Sequence, residues 1–260
     1  MKSMPERSEY LPGTFSWIDC ATTDQEGAKA FYSSLFGWSF MDMPVPEGGT
    51  YSMAMLKDKP VAGLFTKPPE MPAPPHWSSY VSVEDADATA ARAKELGGQL
   101  LAEPFDVMDA GRMAVIQDGE GAVVSIWQPK QNTGAGLVNE HGTLCWNELM
   151  SNDPEAAQTF YTALFSWTPE PFQDNYTIMN VNDRGNGGIM KIGPEMGEIP
   201  PHWGVIFASD DVDASVELVT GAGGSVIVPA FDTPPVGRVA VVADPQGAAF
   251  SMITLAGPAD

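Results

Sequence analysis

Two acidic residues occupy matching places in strand-like segments of the chain. Asp19 follows Trp17 by two residues, and Glu148 follows Trp146 at the same spacing. Because alternate residues of a strand lie on one face, each carboxylate is predicted to share a face with a tryptophan. A carboxylate on an apolar face is costly unless it is paired or functional, so both are candidate acid/base groups. The two tryptophans would either stack on a flat ligand or pack into the core.

Two histidines and two arginines are further candidates. His76 and His202 each stand in a PPHW segment. Each histidine is either a hydrogen-bonded structural residue or a functional one. In the functional case, His76 would pair with Asp19, and His202 with Glu148, as an acid/base pair or a sparse metal site. Arg112 and Arg238, each after a glycine, would clamp a carboxylate or phosphate of a ligand, or form salt bridges in a chain rich in acids.

An internal repeat organises the whole chain. The segment that begins at Gly13 aligns without a gap with the segment that begins at Gly142, at an offset of 129 residues. The matching pairs include Trp17/Trp146, Asp24/Asp153, Phe31/Phe160, Tyr32/Tyr161 and Trp38/Trp167. The PPHW segments, the Gly-Arg pairs and the closing turns DGEG and DPQG also match. The sequence therefore predicts a tandem duplication, with residues 13–130 and 142–256 joined by a linker over 131–141.

Each repeat is itself predicted to consist of two similar pieces, which span about 13–70 and 76–130, and about 142–195 and 202–256. Each piece reads as a strand, a helix and several short strands with Gly and Pro turns. The predicted helix N-caps are Asp24, Asp85, Asp153 and Asp211. The whole chain is then four copies of a βαβββ module.

The FYxxLFxW helix after a short strand and the closing D-x-x-G turn into a last strand resemble the vicinal oxygen chelate superfamily. That superfamily includes glyoxalase I, bleomycin-resistance and fosfomycin-resistance proteins, and extradiol dioxygenases. At closer range the chain is similar to two-domain glyoxalase-like proteins of actinobacteria, a mycobacterial culture-filtrate antigen among them. The resemblance implies an α+β fold in which four βαβββ modules form two curled mixed-sheet cups, each cup holding a ligand.

Metal-binding members of this superfamily draw His and Glu ligands from the first and last strands of both pieces of a cup, and the ion acts as a Lewis acid. Seven residues before the helix N-caps, this chain has Trp17, Ser78, Trp146 and Gly204. The last-strand positions are Ser125, Ser251, Gly63 and Gly188. None of these is an ordinary metal ligand, so no cofactor is expected by the standard pattern, although the resemblance keeps a divalent metal open. Ser125 and Ser251 are instead candidate ligand-binding residues.

The composition narrows the class of partner. Thirteen Lys and Arg against 34 Asp and Glu give a formal charge of −21, which disfavours nucleic-acid and anionic membrane surfaces. The hydrophobic fraction of 43% with 18% charged residues predicts a globular protein with a sizeable core. The first ten residues, MKSMPERSEY, have no apolar signal-peptide core, so a cytoplasmic location is expected.

The sequence thus predicts a glyoxalase-like protein, monomeric or homodimeric, that binds a small organic molecule. The second half is favoured for chemistry because Glu148, Asn147 and His202 offer more polar groups than Asp19 and His76. Lyase or isomerase chemistry would proceed without the usual His/Glu quartet. The alternatives are a non-catalytic protein that sequesters an antibiotic or metabolite, a metal-dependent glyoxalase or dioxygenase with non-standard ligands, and a structural member with filled cups.

Overall fold

The computed structural model describes residues 6–46 and 48–257 and contains two eight-stranded mixed sheets. The amino-terminal half comprises β1 (Phe15–Thr22), α1 (Gln25–Phe36), β2 (Ser39–Pro44), β3 (Thr50–Leu56), β4 (Lys59–Thr66), β5 (His76–Ser82), α2 (Ala86–Glu95), β6 (Gln99–Val107), β7 (Gly111–Gln117) and β8 (Val123–Pro129). Its sheet has the strand order β2-β3-β4-β1-β5-β8-β7-β6.

The carboxy-terminal half repeats this order. It comprises β9 (Leu144–Ser151), α3 (Pro154–Phe165), β10 (Thr168–Gln173), β11 (Tyr176–Val181), β12 (Arg184–Lys191), a short 3-10 helix (Pro194–Met196), β13 (His202–Ala208), α4 (Val212–Gly221), β14 (Ser225–Thr233), β15 (Gly237–Ala243) and β16 (Ala249–Leu255). Its sheet runs β10-β11-β12-β9-β13-β16-β15-β14. The predicted α+β tandem fold with four βαβββ modules is confirmed. Each sheet is completed by strands of one half, so neither cup needs a second copy of the chain.

All four helices begin at the predicted aspartates. The side chains of Asp24, Asp85, Asp153 and Asp211 each accept a hydrogen bond from the backbone amide three residues later. This bond satisfies one of the amides that the first helical turn leaves without a backbone partner. α1 ends at Gly37, whose φ of 71° lies in the left-handed region that glycine adopts at little cost.

The helices lie between the two sheets and join the halves through two mixed cores. One core combines α1 of the first half with α4 and β16 of the second, around Phe36, Phe207 and Phe250. The other combines α2 of the first half with α3 of the second, around Ile116 and Trp167. Neither half therefore buries its helices alone, and the two halves form one packed unit.

A buried hydrogen-bond chain crosses between the halves inside each mixed core. Trp77 Nε1 donates to the Tyr32 hydroxyl over 3.0 Å, and that hydroxyl lies 3.1 Å from Asp244 Oδ2. The other Asp244 oxygen accepts from the backbone amide of Gln246 in the DPQG turn and from that of Ala248, which follows the turn. The same chain recurs with Trp203, Tyr161 and Asp118 at 2.9 Å for each side-chain contact. The repeated FY, PPHW and D-x-x-G motifs thus meet at one contact.

Among the described residues, no helix is both long enough and apolar enough to cross a membrane.

We expect Tyr32→Phe to lower the free energy of unfolding by about 1–3 kcal/mol, because it leaves Trp77 N–H and a carboxylate oxygen of Asp244 buried without their shared partner. Urea unfolding monitored by tryptophan fluorescence measures this cost. Tyr161→Phe, at the equivalent position, should cost a similar amount. A loss under about 0.5 kcal/mol in both variants would contradict the structural role assigned to these hydroxyls.

Candidate functional site

Each sheet turns one face toward the helices and the other, concave face away from them. On β1 the concave face carries Trp17 and Asp19, and on β5 it carries Ser78 and Tyr80, while Ile18, Cys20 and Trp77 point into the helical core. Strand alternation fixes this division because side chains two residues apart share a face. We call the concave face of the first sheet the first cup and that of the second sheet the second cup.

The first cup is filled by its own side chains. Trp17, Met53, Tyr80 and Trp127 form a buried cluster in which each side chain is less than a tenth exposed. Tyr51, Met113 and other partly buried residues pack around this cluster. The cup interior therefore behaves as a third hydrophobic core rather than as an open surface.

The linker between the halves forms a roof over this cluster. Ala135 and Val138 are buried within it, 1% and 8% exposed. The linker backbone is held where β1 and β4 diverge, because the amide of Ala135 donates to Ser16 O over 2.8 Å and the amide of Gly136 donates to Pro60 O over 2.7 Å. The segment predicted as a simple connection is thus part of the first cup.

Asp19 lies at the floor of the first cup and is 4% exposed. Its Oδ2 accepts hydrogen bonds from the hydroxyls of Tyr80, at 2.7 Å, and Tyr51, at 3.4 Å. Oδ1 has no hydrogen-bond partner among the described residues. Burial raises the pKa of this carboxyl to about 7, and the hydroxyls of Tyr80, Tyr51 and Ser78 oppose the rise.

Tyr51 reaches Asp19 because Gly63 leaves room for its ring. A Cβ at Gly63 would lie 1.8 Å from the Tyr51 hydroxyl, and Gly63 pairs directly with Asp19 in the sheet. Trp17 Nε1 donates to the same hydroxyl over 2.9 Å. The second cup repeats the arrangement, since Trp146 Nε1 donates to the Tyr176 hydroxyl over 2.8 Å. That hydroxyl would lie 1.9 Å from a Cβ at Gly188, which pairs with Glu148.

The second cup is more accessible than the first. Trp146, Glu148 and Ser251 are half-buried, whereas the equivalent Trp17, Asp19 and Ser125 are 5%, 4% and 3% exposed. Along the β14 wall, Val228 and Phe231 are exposed and pair with Val241 and Val239 on β15. In the described part of the second half, these cup residues belong to none of the buried hydrophobic clusters.

Smaller side chains account for this difference. Strand register makes Tyr80 equivalent to Ile206, Trp127 to Ile253, Met113 to Val239, Met53 to Ile178 and Ser78 to Gly204. Four of these five replacements toward the second half remove side-chain volume, and the change from Met53 to Ile178 leaves it about the same. Ile206 and Ile253 are only 8% and 6% exposed, but their side chains occupy less of the second cup than Tyr80 and Trp127 occupy of the first.

Glu148 stands at the centre of the second cup. Burial against the surrounding walls raises the pKa of this carboxyl, and the neighbouring Tyr176 hydroxyl partly offsets the rise. The pKa of Tyr176 is itself raised by burial and by the charge of Glu148, so the phenol stays protonated. The pair is a protonatable carboxyl held beside a hydroxyl donor, which is suited to hydrogen bonding or to proton transfer.

Some predicted site residues lie away from the cups. Asn147 alternates with Trp146 and Glu148, so it points toward the helices, where Oδ1 accepts from Ser79 Oγ over 2.6 Å. This buried amide links the two halves. The prediction that Asn147 adds a polar group to the second cup is wrong, because strand alternation places its side chain on the opposite face from Glu148.

Arg112 and Arg238 also lie on the helix face of their sheets. Arg112 Nε and Nη2 bind the Asp87 carboxylate over 2.7 and 2.8 Å, and Arg238 binds Asp213 in the same way, with Asp232 as a second partner. Asp87 and Asp213 stand in the first turns of α2 and α4. Of the two roles that the sequence leaves open for these arginines, the structure provides the salt bridge, outside both cups.

His76 and His202 lie at the starts of β5 and β13, toward the rims of the cups. Nδ1 of each ring is 2.8 Å from a proline carbonyl two residues earlier, Pro74 O or Pro200 O. The carboxylates lie further along, because Asp19 pairs with Ser78 and Glu148 pairs with Gly204. The structure thus gives both histidines the local hydrogen bond of a structural residue.

The donor sets of the two cups do not fit a divalent metal in the way the family implies. All eight positions expected to carry ligands hold Gly, Ser or Trp, and none of these has a carboxylate or an imidazole. Within residues 6–46 and 48–257, no three His, Cys, Asp or Glu side chains come together as a potential metal site. Each cup offers one carboxylate, whereas a catalytic zinc or iron site ordinarily has three protein ligands.

Four aromatic residues of the site were not predicted from the sequence: Tyr51, Tyr80, Trp127 and Tyr176. The repeat itself carries a signal for two of them, because YSMAML from Tyr51 matches YTIMNV from Tyr176. For Tyr80 and Trp127 the signal is the opposite, since the second half has isoleucine at both places. Recognising them requires the strand register that places them beside Asp19.

The raised pKa of Asp19 predicts a specific pH dependence of stability. An aspartate with a pKa of about 7 when folded and about 4 when unfolded stabilises the fold at low pH, and this contribution is lost as the pH rises through 7. Wild type should therefore lose about 2–3 kcal/mol of this stabilisation between pH 5 and pH 8. Asp19→Asn lacks the titrating group, so its unfolding free energy relative to wild type should rise by that amount over the same pH range. Urea unfolding of both proteins at the two pH values measures the gain.

Asp174→Asn, at an exposed turn, is the control for removing one negative charge and should show no such gain. Equal pH dependence of wild type and Asp19→Asn would show that Asp19 is charged at neutral pH in the folded protein.

Comparison with known families and proteins extends these observations. The family described as the Glyoxalase/Bleomycin resistance protein/Dioxygenase superfamily matches residues 14–126, and the glyoxalase-like domain family matches residues 145–253. A relative from Mycobacterium tuberculosis named "Putative glyoxylase CFP32" is 47% identical over 96% of this chain and 98% of its own length. The anthracycline biosynthesis protein DnrV of Streptomyces peucetius is 32% identical over 95% of each chain.

Solved structures show the same fold at low sequence identity. A Mn(II)-bound glyoxalase from Novosphingobium aromaticivorans superposes with a TM-score of 0.68 at 12% identity, covering 96% of this chain and 84% of that one. The 2,3-dioxygenase LapB from Pseudomonas sp. KL28 gives a TM-score of 0.66 at 12% identity, covering 94% and 93%. At this identity the likeness concerns the fold.

Proposed function

The chain belongs to the glyoxalase/bleomycin resistance protein/dioxygenase superfamily, and we propose that it binds a small organic molecule in the second cup, with Glu148 as the group that hydrogen-bonds the ligand or exchanges a proton with it. The observation that carries this proposal is the loss of side-chain volume between equivalent cup positions, above all from Trp127 to Ile253 and from Tyr80 to Ile206.

The walls of the second cup indicate the kind of ligand. Ile178, Ile206, Val239 and Val241 supply apolar surface, and Phe231 and Phe172 add aromatic surface along the two outer strands. An apolar, concave wall with one or two polar groups is typical of sites for small organic molecules. The ligand is accordingly an apolar or aromatic body that directs one polar atom toward Glu148.

Glu148 gives this cup its chemistry. A carboxyl whose pKa is raised keeps its proton to a higher pH than an exposed glutamate, so it donates to a carbonyl oxygen or serves as a general acid. After deprotonation the same group is a general base, as an isomerase or lyase step requires. Such a step uses residues of this chain alone, which suits cups without the usual metal ligands.

Sequestration without turnover is the second candidate, and the negative charge of the chain favours it for a cationic ligand. Relatives named as anthracycline biosynthesis proteins are 31–32% identical over 95% of this chain, which supports a flat polycyclic aromatic ligand. The net charge of −21 attracts cationic molecules to the protein. Binding alone requires only the apolar walls and one hydrogen bond. The completed sheets of each half are consistent with a monomer for either function.

We expect wild type to bind a soluble anthracycline saturably, and Ile253→Trp to weaken that binding at least tenfold because it restores the side chain that fills the first cup. Quenching of the ligand's fluorescence on titration measures both affinities. Trp127→Ile is the matched control, since it opens the other cup and should leave affinity in the second cup unchanged. Unaltered affinity in Ile253→Trp would place the ligand elsewhere.

Glu148→Gln should lower affinity or turnover at least tenfold, because the amide cannot exchange a proton with the ligand. The assay follows binding and conversion of an anthracycline and, separately, of the hemithioacetal of methylglyoxal and glutathione, with chelator-treated protein and with protein given Mn²⁺. Asp19→Asn makes the same change in the first cup and should have no effect.

Recovery of the ligand unchanged assigns binding without chemistry, whereas a product that depends on Glu148 assigns catalysis. A requirement for the added metal, with Glu148→Gln fully active, would refute the proposed role of Glu148.

A further inference from the structure

A row of paired residues crosses the concave face of the second cup at right angles to its strands. Glu148 on β9 pairs with Gly188 on β12, Gly188 pairs with Ile178 on β11, and Ile178 pairs with Glu170 on β10. Residues paired directly across a sheet share a face, so Glu170 lies on the face of Glu148, three strand spacings or about 14 Å away along the sheet. Glu170 is exposed, and Ile178 and Glu148 are half-buried, so the row is open to solvent.

The corresponding row of the first cup ends without a second carboxyl group. It runs through Asp19, Gly63, Met53 and Met41. Glu170 therefore stands where the first half has a methionine. The first half forms the same sheet without a charge at this position, so packing of the fold does not account for Glu170.

A buried amide orients the Glu170 carboxylate. Asn180 on β11 is 7% exposed, and its Nδ2 donates to Glu170 Oε2 over 3.0 Å. Asn180 pairs with Thr168 as Met55 pairs with Ser39 in the first half, so the amide also replaces a methionine. Among the described residues, no salt bridge involves Glu170. The remaining acceptor positions of this carboxylate are available to a ligand.

The basic residues of the second half do not face its cup. In residues 142–257 they are Arg184, Lys191 and Arg238. Arg184 pairs with Val181, which packs into a mixed core. Lys191 pairs with Ser151, three residues along β9 from Glu148 and thus on the opposite face. Arg238 forms the salt bridge to α4 described above. Within the described part of this half, the cup therefore has carboxyl groups and no lysine or arginine, which favours a cationic ligand.

We propose that Glu170 determines the specificity of the second cup by binding an ammonium group of the ligand, while the body of the ligand lies over Ile178 and reaches toward Glu148. This role rests on the function proposed above and names the ligand class of the same site, an apolar or aromatic body that carries an amine. A hydrogen bond between an ammonium group and a carboxylate is stronger than one between neutral groups. Asn180 is a positioning residue, because it fixes the carboxylate before the ligand binds.

The test is a fluorescence titration of the whole protein with daunorubicin and with N-acetyldaunorubicin, which has the same flat body without the ammonium charge. We expect wild type to bind daunorubicin at least fivefold more tightly than the acetylated ligand. Glu170→Gln should weaken daunorubicin binding at least fivefold and leave the affinity for N-acetyldaunorubicin unchanged. Glu155→Gln removes an exposed carboxylate from the first turn of α3 and, as the charge control, should change neither affinity.

Asn180→Met introduces the residue of the first half and leaves the charge of Glu170 in place. We expect it to weaken daunorubicin binding about threefold, because the carboxylate loses its orienting amide, and to leave the affinity for N-acetyldaunorubicin unchanged. An equal loss for both ligands would instead assign Asn180 a structural role in the wall of the cup.

The two possible failures are distinguishable. Equal affinity of wild type for the two ligands, with both weakened by Ile253→Trp, would overturn the role of Glu170 and leave binding in the second cup intact. A loss in Glu155→Gln as large as that in Glu170→Gln would also overturn it, since the preference would then come from the net charge of the chain. Absence of saturable binding of either ligand to wild type would overturn the proposed function and the role of Glu170 together.

Discussion

The contact on which the rest of the structure depends is the buried hydrogen bond between a tyrosine of one half and a turn aspartate of the other. Tyr32 reaches Asp244, and Tyr161 reaches Asp118, each with a tryptophan indole donating to the same hydroxyl. A buried aspartate requires such partners, since its own turn satisfies only one oxygen. Each half therefore supplies the tyrosine that the buried aspartate of the other half requires. Because these tyrosines lie on α1 and α3, the contact holds the helices between the two sheets.

This arrangement separates what the duplication must keep from what it is free to change. The helix face of every sheet packs into a core shared by both halves, so the FY helix, the PPHW strand and the closing turn keep their buried motif residues in each repeat. The concave faces contact no second sheet. Their side chains have diverged from Tyr80 and Trp127 to Ile206 and Ile253 without disturbing the shared cores, and this freedom gives one chain two different cups.

The sequence predicts the fold well because its evidence is repeated and local. The aspartate N-cap occurs four times, and the FY helix and the closing glycine turn occur twice. Each occurrence supports the assignment of the same element in the other repeat. Strand alternation also places Asp19 and Glu148 on the concave faces. The same rule predicts that Asn147 does not lie on the concave face, because adjacent residues of a strand point to opposite faces and Glu148 lies on the concave one. The helix partners of Arg112 and Arg238, Asp87 and Asp213, are 25 residues away, so these two ion pairs require the packing of helix on sheet.

The contents of the cups are harder to predict, because they depend on strands that lie far apart in the sequence. Tyr51 meets Asp19 only through the register of β3 with β4 and of β4 with β1, and the roof of the first cup comes from the linker. That linker must run from the end of β8 to the start of β9, and it fills the gap where β1 and β4 separate. The linker thus shields the first cup from solvent, so the two repeated carboxyls occupy different environments. Asp19 is covered by the linker and lies among aromatic rings, whereas Glu148 lies in a cup lined by smaller side chains. A repeated acid on a repeated strand can therefore acquire two chemistries through changes in its neighbours alone.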